Sequence, residues 1–503
     1  MHEKKEFGGV SVQKGLNEIL SIRRKKLELL KANKKNPFDI TTCRQSCLAK
    51  EIKNDFETFE NKSISVAGRI LKFREMGKAS FFDVSDRSGT IQIYVRVDDL
   101  GKNTYKDILT LDIGDIISVS GSVFKTRRGE VSVHANKIEL LSKSLIPLPE
   151  KHHGLKDTDL RYRQRYLDLI MNSKTREVFK KRSFVITKIR EFLKRENFLE
   201  VETPVLNFVA SGAEAEPFLT HYNALNMNIF LRIATEIPLK KLLVGGLERV
   251  YEIGKVFRNE GISVKHSPEY TSLELYKAYT DYNDMMNLTE RMVQEITSST
   301  CGKEKIIYQN KEINIGNSFK RITMLQAVKK ITGIDFSRFV GDVLTAKKQA
   351  LKLGIIETEE LNSWGEVLNN IFEEKVEKTL IDPTFVYDYP VEVSILTKKK
   401  KNNPNFTERF ELYIAGREIA NAYSELNDPI EQRERFVLQL EKQRQNKKNE
   451  NNLLDEDFLT ALEYGMPPAG GMGMGIDRLV MLLTDSPSIR DVLFFPTMKS
   501  VKK

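Results

Sequence analysis

Cysteine is scarce in this sequence: Cys43, Cys47 and Cys301 are the only three in 503 residues. Three thiols exclude a disulfide framework, and CRQSC at 43–47 lacks the second pair that would complete a zinc site. Long apolar runs are missing as well. None approaches the ~18 residues that a membrane-spanning helix needs, so no membrane association is expected. The opening residues MHEKKEFGGV carry no apolar core of the kind a secretory signal requires. These absences together predict a reduced, cytoplasmic setting. No internal repeat is found.

What is present describes a globular, water-soluble chain, with 40% hydrophobic and 30% charged residues. Its length exceeds what one ordinary core holds, so two or three domains are expected. The formal net charge of +10 attracts polyanions, and a nucleic acid is the first candidate.

The pattern of apolar residues changes along the chain. In LNEILSIRRKKLELLKANKK, residues 16–35, Leu16, Ile19, Leu20, Leu27 and Leu30 recur at helical spacing and the polar face is basic. That face suits either solvent or an RNA backbone, and NPF at 36–38 should end the helix. Over 62–142 the period shortens. ISVAGRI, IQIYVRV, DIISVSGSV and EVSVHANKIELL alternate, are rich in Val and Ile, and are broken by turns such as DRSG and TRRG. Roughly five short strands suit a closed OB-fold barrel. Phe81, Gln92, Arg69 and Arg74 could form a base-stacking face on it, although Phe81 by itself reads as core.

Pro147 and Pro149 mark a linker leading into a helix. His152 and His153 lack carboxylate or cysteine neighbours and read as solvated. Beyond residue 175 the chain is α/β in character. A long amphipathic helix over 178–199 precedes LEVETPVL, whose Pro204 assigns that strand to a sheet edge or a subunit junction. Residues 321–380 read as a mainly helical insertion, and TKKKKNNPN and KQRQNKKNENN as polar surface.

Three segments concentrate the chemistry. FRNEGISVKHSPEY, 257–270, lies between two strand-like flanks. ERFELYIAGREIANAYSELNDP carries Glu411, Glu418 and Glu425, spaced seven apart, with Asn421 and Tyr423 between. PPAGGMGMGIDRLVMLL is a glycine-rich strand entering a helix at Arg478. Each is ambiguous alone: the first could be a surface hairpin, the glutamates one face of a helix, and the glycines a device for close backbone packing.

Together they resemble the signature motifs of the class II aminoacyl-tRNA synthetases. Pro204 matches motif 1, FRNE motif 2 and GMGMGIDR motif 3. An OB-fold before such a core resembles subclass IIb. LRIATEI, GREIANAYSELNDP, IDPTFVYDYPVEVS and IRDVLFFP are most similar to its lysine branch, over residues 16 to 500.

The resemblance implies an α+β multidomain protein. It has a helical extension over 1–60, an anticodon-binding OB-fold over 61–145, a linker over 146–174 and an antiparallel-sheet catalytic domain over 175–503. It implies a lysine–tRNA ligase that uses ATP and Mg²⁺ on L-lysine and tRNA(Lys), as a homodimer.

By the same resemblance, Arg258 and Arg478 are catalytic, and ATP is held by these two with Glu260, His266, Tyr270, Glu411 and Glu418. Glu411 and Glu418 supply hard oxygens for Mg²⁺. Glu236, Glu274, Tyr276, Asn421, Tyr423, Glu425 and the backbone at Gly212 hold lysine. Phe81, Gln92 and Glu130 read the anticodon. The chemistry suits these residue types, because attack on the α-phosphorus of ATP requires negative charge to be neutralised, and a buried ammonium requires acidic acceptors. Aspartyl- or asparaginyl-type enzymes and a catalytically silent RNA-binding paralogue are the alternative readings. The chain departs from the pattern at Thr235, Pro238, Glu216 and Tyr270, which touches pocket geometry rather than the reaction.

Overall fold

The computed structural model describes residues 4–149, 155, 157–213, 215–356, 358, 360–445 and 454–500. His152, His153 and residues 446–452 of the second polar run lie outside the described residues. The chain divides into two compact units, 1–156 and 157–503.

In the first unit five strands close a barrel in the order β1-β2-β3-β5-β4. They are β1 (Ser63–Met76), β2 (Ala79–Ser85), β3 (Thr90–Arg96), β4 (Ile116–Lys125) and β5 (Val131–Ser142). The alternation seen in the sequence is the inside–outside alternation of the strands: Ile64, Val66, Phe82, Val84, Ile91, Ile93, Ile117, Val119 and Val133 fill the interior. Phe82 is the core ring, and Phe81, read by itself as core, stands half-buried on the outer face. One residue along a strand exchanges the two faces, which a sequence pair of identical rings conceals.

On that outer face the Phe81 ring lies 5.0 Å from Tyr94, and the Arg74 guanidinium sits 6.0 Å over it. Tyr94 in turn neighbours Phe124 and His134. Gln92 accepts from the Ser132 hydroxyl, Glu130 pairs with Lys53, and Arg69 turns away to donate to the Gly114 carbonyl.

The N-terminal helix runs over Lys4–Ala32 and ends before NPF, where Asn36 caps a short 3-10 turn instead. Its basic residues are not all solvated. Arg23 is buried and donates to the carbonyls of Ile113, Ser144 and Ile146, and Lys26 pairs with Asp112.

The second unit is built on a sheet of eight strands. In chain order these are β6 (Leu199–Glu200), β7 (Arg249–Phe257), β8 (Glu269–Ala278), β9 (Lys320–Thr323), β10 (Thr384–Tyr387), β11 (Arg409–Ile414), β12 (Arg417–Ser424) and β13 (Ala469–Gly475). Their spatial order is β9-β10-β11-β12-β13-β8-β7-β6. Strand β6 is an edge, but it covers only two residues and Pro204 lies beyond it, outside any strand. Helices Ser173–Arg195, Tyr282–Cys301 and Ile476–Leu483 bury one face of the sheet through Ile189, Met292 and Leu479, against Leu273, Ala422 and Met472. The residues between those on each strand face the other way, into a cavity. Residues 321–380 are mainly helical around Trp364 and Phe372, as read from the sequence.

Residues 157–171 form two short helices belonging to this unit. Arg165 is fully buried there and donates to the carbonyls of Arg490, Leu493 and Phe494. Asp168, also fully buried, accepts from Arg165 (2.6 Å), Arg161 (3.0 Å), Asn172 and Thr175. Removing the carboxylate strands the buried guanidinium. Asp168→Ala should therefore lower stability by about 3–5 kcal/mol, read by urea unfolding on the single tryptophan, Trp364.

Candidate active site

The open face of the sheet holds a cavity of about 500 Å³. Its shape follows from strand β13. Gly471, Gly473 and Gly475 alternate with the core residues Met472 and Met474, so the central strand presents no side chain to the cavity. On one side Gly471 pairs with Tyr276 and Gly473 with Glu274, both on β8. On the other, the same glycines pair with Tyr423 and Asn421 of β12. A trough results, floored by backbone and walled by polar side chains. The register of β11 against β12 slips between Leu412 and Tyr413. That irregularity lets Glu418 face the trough with Asn421 and Tyr423 although the spacing is three, not two.

One end of the trough is basic. Strands β7 and β8 form an antiparallel hairpin, as their flanks suggest, and Arg258, Glu260, Lys265 and His266 of the connecting loop line the cavity. The loop is tied by the Arg258 amide to the Pro268 carbonyl and by Ser263 to His266. The Arg258 guanidinium lies 5.5 Å over the Tyr270 ring. Arg478, one turn into its helix, donates to the Glu418 carboxylate at 2.8 Å. Burial opposes ionisation of Glu418, but Arg478 outweighs it and holds the carboxyl below its usual range. Burial, Arg478 and Lys265 push His266 down, so its ring is neutral at pH 7.

Glu411 stands behind the wall rather than on it. Arg409 takes one oxygen at 2.6 Å and the Tyr413 hydroxyl the other. Burial and the Glu418 charge push its carboxyl up. Among the described residues no group of three or more His, Cys, Asp or Glu gathers as a metal cluster. Of the two carboxylates only Glu418 stands on the wall with its carboxyl held ionised, and its hard oxygens are the ones that could reach a divalent ion.

The other end is acidic and buried. Glu274 accepts from the Thr235 amide at 3.2 Å, and Tyr276 reaches it at 3.5 Å. Burial and the Glu236 charge push Glu274 up to about 7. Glu236, at the start of helix Glu236–Val244, accepts from the Tyr423 hydroxyl at 2.7 Å. Gly212 borders this end with φ +92°, a conformation that favours glycine, where a Cβ would press on Ala234 and Glu236. Glu425 is wholly buried over Gly471, with Oε1 where a Cβ of that residue would stand, and is not itself among the residues lining the open space.

Residues 157–499 match the family described as tRNA synthetases class II (D, K and N), and 64–141 match the OB-fold nucleic acid binding domain. The chain belongs to the class II tRNA synthetases. Among curated relatives, the lysine–tRNA ligase of Thermoanaerobacter sp. (strain X514) is 54% identical over 96% of each chain. That of Clostridium acetobutylicum is 53% identical over 96% of this chain and 94% of its own. That of Clostridium tetani is 51% identical over 99% and 98%.

Two residues of this class II synthetase escaped the sequence reading. Arg409 joins Glu411 to Asn421, which it holds at 3.1 Å. Lys240 is wholly buried and bridges Glu236 and Glu425 at 2.5 Å each. Its only signal was the Glu236–Lys240 spacing of four, which ordinarily marks a surface pair on a helix.

Gly471 has no room for a side chain: a Cβ would lie 2.0 Å from Glu425 and 2.4 Å from Tyr276. Gly471→Ala should cut amino-acid-dependent ATP–pyrophosphate exchange by roughly 10²-fold through sub-ångström displacement of both groups. The KM for ATP and the circular dichroism spectrum should change little.

Proposed function

We propose that this synthetase is a lysine–tRNA ligase that joins L-lysine to the 3′ end of tRNA(Lys) through lysyl-adenylate. The observation that carries the reading is the polarity of the trough, with carboxylates buried at one end and arginines at the other. The near full-length similarity to lysine–tRNA ligases supports it.

In this reading the amino acid lies along the glycine floor. Its ε-ammonium meets Glu425 and Tyr276 with Glu274 close by, and its α-ammonium meets Glu236 and the Gly212 backbone. Its carboxylate lies toward Asn421 and Arg258. The carboxylate oxygen attacks the α-phosphorus of ATP, and pyrophosphate leaves. The tRNA 3′-terminal hydroxyl then attacks the lysyl carbonyl, and AMP leaves. Arg258 spans the reacting carboxylate and the α-phosphate with its planar fork, while Arg478 and His266 reach the outer phosphates. Glu260 and Tyr270 receive the adenine, with Arg478 on the opposite face. No residue need exchange a proton in the first step; positioning and charge stabilisation supply the acceleration. Glu418, with Glu411 behind it, would hold Mg²⁺, which supplies charge neutralisation at the phosphates when bound.

An aspartate- or asparagine-specific pocket would need a cation or neutral donors where this cavity gathers carboxylates. A catalytically silent paralogue would have no use for a matched acidic and basic trough. Losing two charged hydrogen bonds of ~1.5–3 kcal/mol each leaves a neutral analogue roughly 10²- to 10⁴-fold behind lysine.

The exposed apolar residues Leu199, Val205, Leu206 and Phe208 around motif 1 support pairing with a second copy. No described helix is long and apolar enough to cross a membrane, and the three cysteines are free, which supports a cytoplasmic setting.

ATP–pyrophosphate exchange across all twenty amino acids should respond to lysine alone; exchange driven by aspartate or asparagine, or none at all, would refute the reading. In the barrel, Phe81, Gln92 and Glu130 are assigned to the anticodon. Base stacking contributes ~1–3 kcal/mol, so Phe81→Ala should raise the KM for tRNA by roughly 5- to 150-fold. Lysine-dependent exchange, which needs no tRNA contact, should keep its wild-type rate.

A further inference from the structure

Three carboxylates share the closed end of the trough, and a cation of the chain's own already sits among them. Lys240 is fully buried on helix Glu236–Val244. Its Nζ lies 2.5 Å from Glu236 Oε1 and 2.5 Å from Glu425 Oε2. The rings of Tyr423, Phe458 and Tyr276 surround it at 5.5, 5.9 and 6.0 Å. Beyond this ion pair neither oxygen of Glu425 has a hydrogen-bond partner among the described residues, although both are buried. Oε2 faces Lys240, while Oε1 lies against the Gly471 backbone, on the side of the open space.

The groups facing Lys240 come from four elements. Its own helix supplies Glu236. Strand β8 supplies the Tyr276 ring, with Glu274 acting on Glu425 from the same strand, and β12 with the residue after it supplies Tyr423 and Glu425. Helix Glu456–Glu463 supplies only the Phe458 ring, since its Asp457 pairs with Lys241 at the surface. The next cations, Arg258 and Arg409, stand further along the trough.

Charge counting gives the site its meaning. Glu236, Glu274 and Glu425 would carry three negative charges when ionised, and Lys240 removes one. The remaining two equal the two ammonium groups of a diamino acid, whose carboxylate has its own arginine. We propose that Lys240 is a resident counter-cation of the amino-acid pocket, a positioning residue that stays on Glu236 and Glu425 while the substrate's two ammonium groups satisfy what is left. The inference rests on the lysine reading of this cavity and assigns a residue that reading does not use.

The pocket carboxylates stand high even with Lys240 in place. Burial, with Lys240 opposing and Glu236 reinforcing, holds Glu425 above the usual carboxylate range, and burial with Glu236 pushes Glu274 up to about 7. A carboxyl that must be ionised to receive an ammonium loses function as pH falls through its pKa. The wild-type kcat/KM for lysine should therefore fall as pH drops through about 7, where Glu274 protonates. Removing a cation this close raises neighbouring carboxyl pKa values by roughly 1–3 units.

The test compares Lys240→Met and Lys240→Arg with wild type in lysine-dependent exchange from pH 6 to 10. Lys240→Met should move the acidic limb of kcat/KM for lysine upward by at least about one unit, a tenfold loss or more at pH 7. That loss should be recovered toward high pH, with the KM for ATP unchanged. Lys240→Arg keeps the charge and should keep the wild-type limb even if its rate falls. A Lys240→Met limb that coincides with wild type, or a loss uniform across pH, would overturn the proposal.

Should Lys240→Met fail to fold, a crystal structure of the wild-type chain with L-lysine decides. Nζ still bridging Glu236 and Glu425 supports the proposal, and Nζ expelled by the ligand's ammonium refutes it. Wild-type protein that shows no lysine-dependent exchange would instead sink the lysine reading itself.

Discussion

Gathering carboxylates in one largely buried corner is the constraint on which the second unit turns. Two like charges about 5 Å apart repel by roughly 3 kcal/mol even at an effective dielectric of about 20. Glu236, Glu274 and Glu425 all meet this cost in one corner. The fold relieves it with a buried lysine, one backbone amide and the hydroxyls of Tyr276 and Tyr423. The relief is incomplete, since burial still holds the Glu274 and Glu425 carboxyls above the usual carboxylate range. That unmet demand suits the corner to a cation. The basic end presents the opposite surplus, and there burial and neighbouring cations keep His266 neutral.

Such a cavity has to be narrow, because charge recognition over water-filled space is weak. Strand β13 narrows it. With glycine at every cavity-facing position, side chains of β8 and β12 approach each other across bare backbone, and the alternate methionines pack into the core. The same strand thus joins stability to recognition: Met472 and Met474 anchor the floor whose opposite face the substrate would touch.

Much of this was legible in the sequence. Alternation over 62–142 announced the barrel, since a small closed sheet needs one apolar face per strand. The charged loop at 257–270 was framed by strands, while the spacing of seven between Glu411, Glu418 and Glu425 left a helix face and a strand both open. What escaped was set by three-dimensional neighbours. Phe81 and Phe82 are chemically equal, and only the strand's phase tells which one is outside. Glu411 and Glu418 look equivalent seven residues apart, yet Arg409 and Tyr413 draw the first behind the wall while Arg478 keeps the second on it. Lys240 has only its spacing of four from Glu236 as a sequence signal; its burial comes from Phe458 and Tyr423, which are far away in sequence.

The two acidic groupings of the trough also differ in what they can accept. Glu418 is ionised, lies on the wall and sits among arginines that would also meet phosphate oxygens. A small divalent ion that retains water and shares its shell with a nucleotide suits it. Glu274 and Glu425 lie deeper, in a corner walled by Tyr276, Tyr423 and Phe458. Aromatic faces attract an ammonium through its charge but offer no ligand to a hydrated Mg²⁺. A divalent ion there would have to shed its water for carboxylates that are partly protonated at neutral pH, whereas an ammonium brings three donors of its own. Burial and ring placement, more than carboxylate number, therefore separate the end that suits a metal from the end that suits an amine.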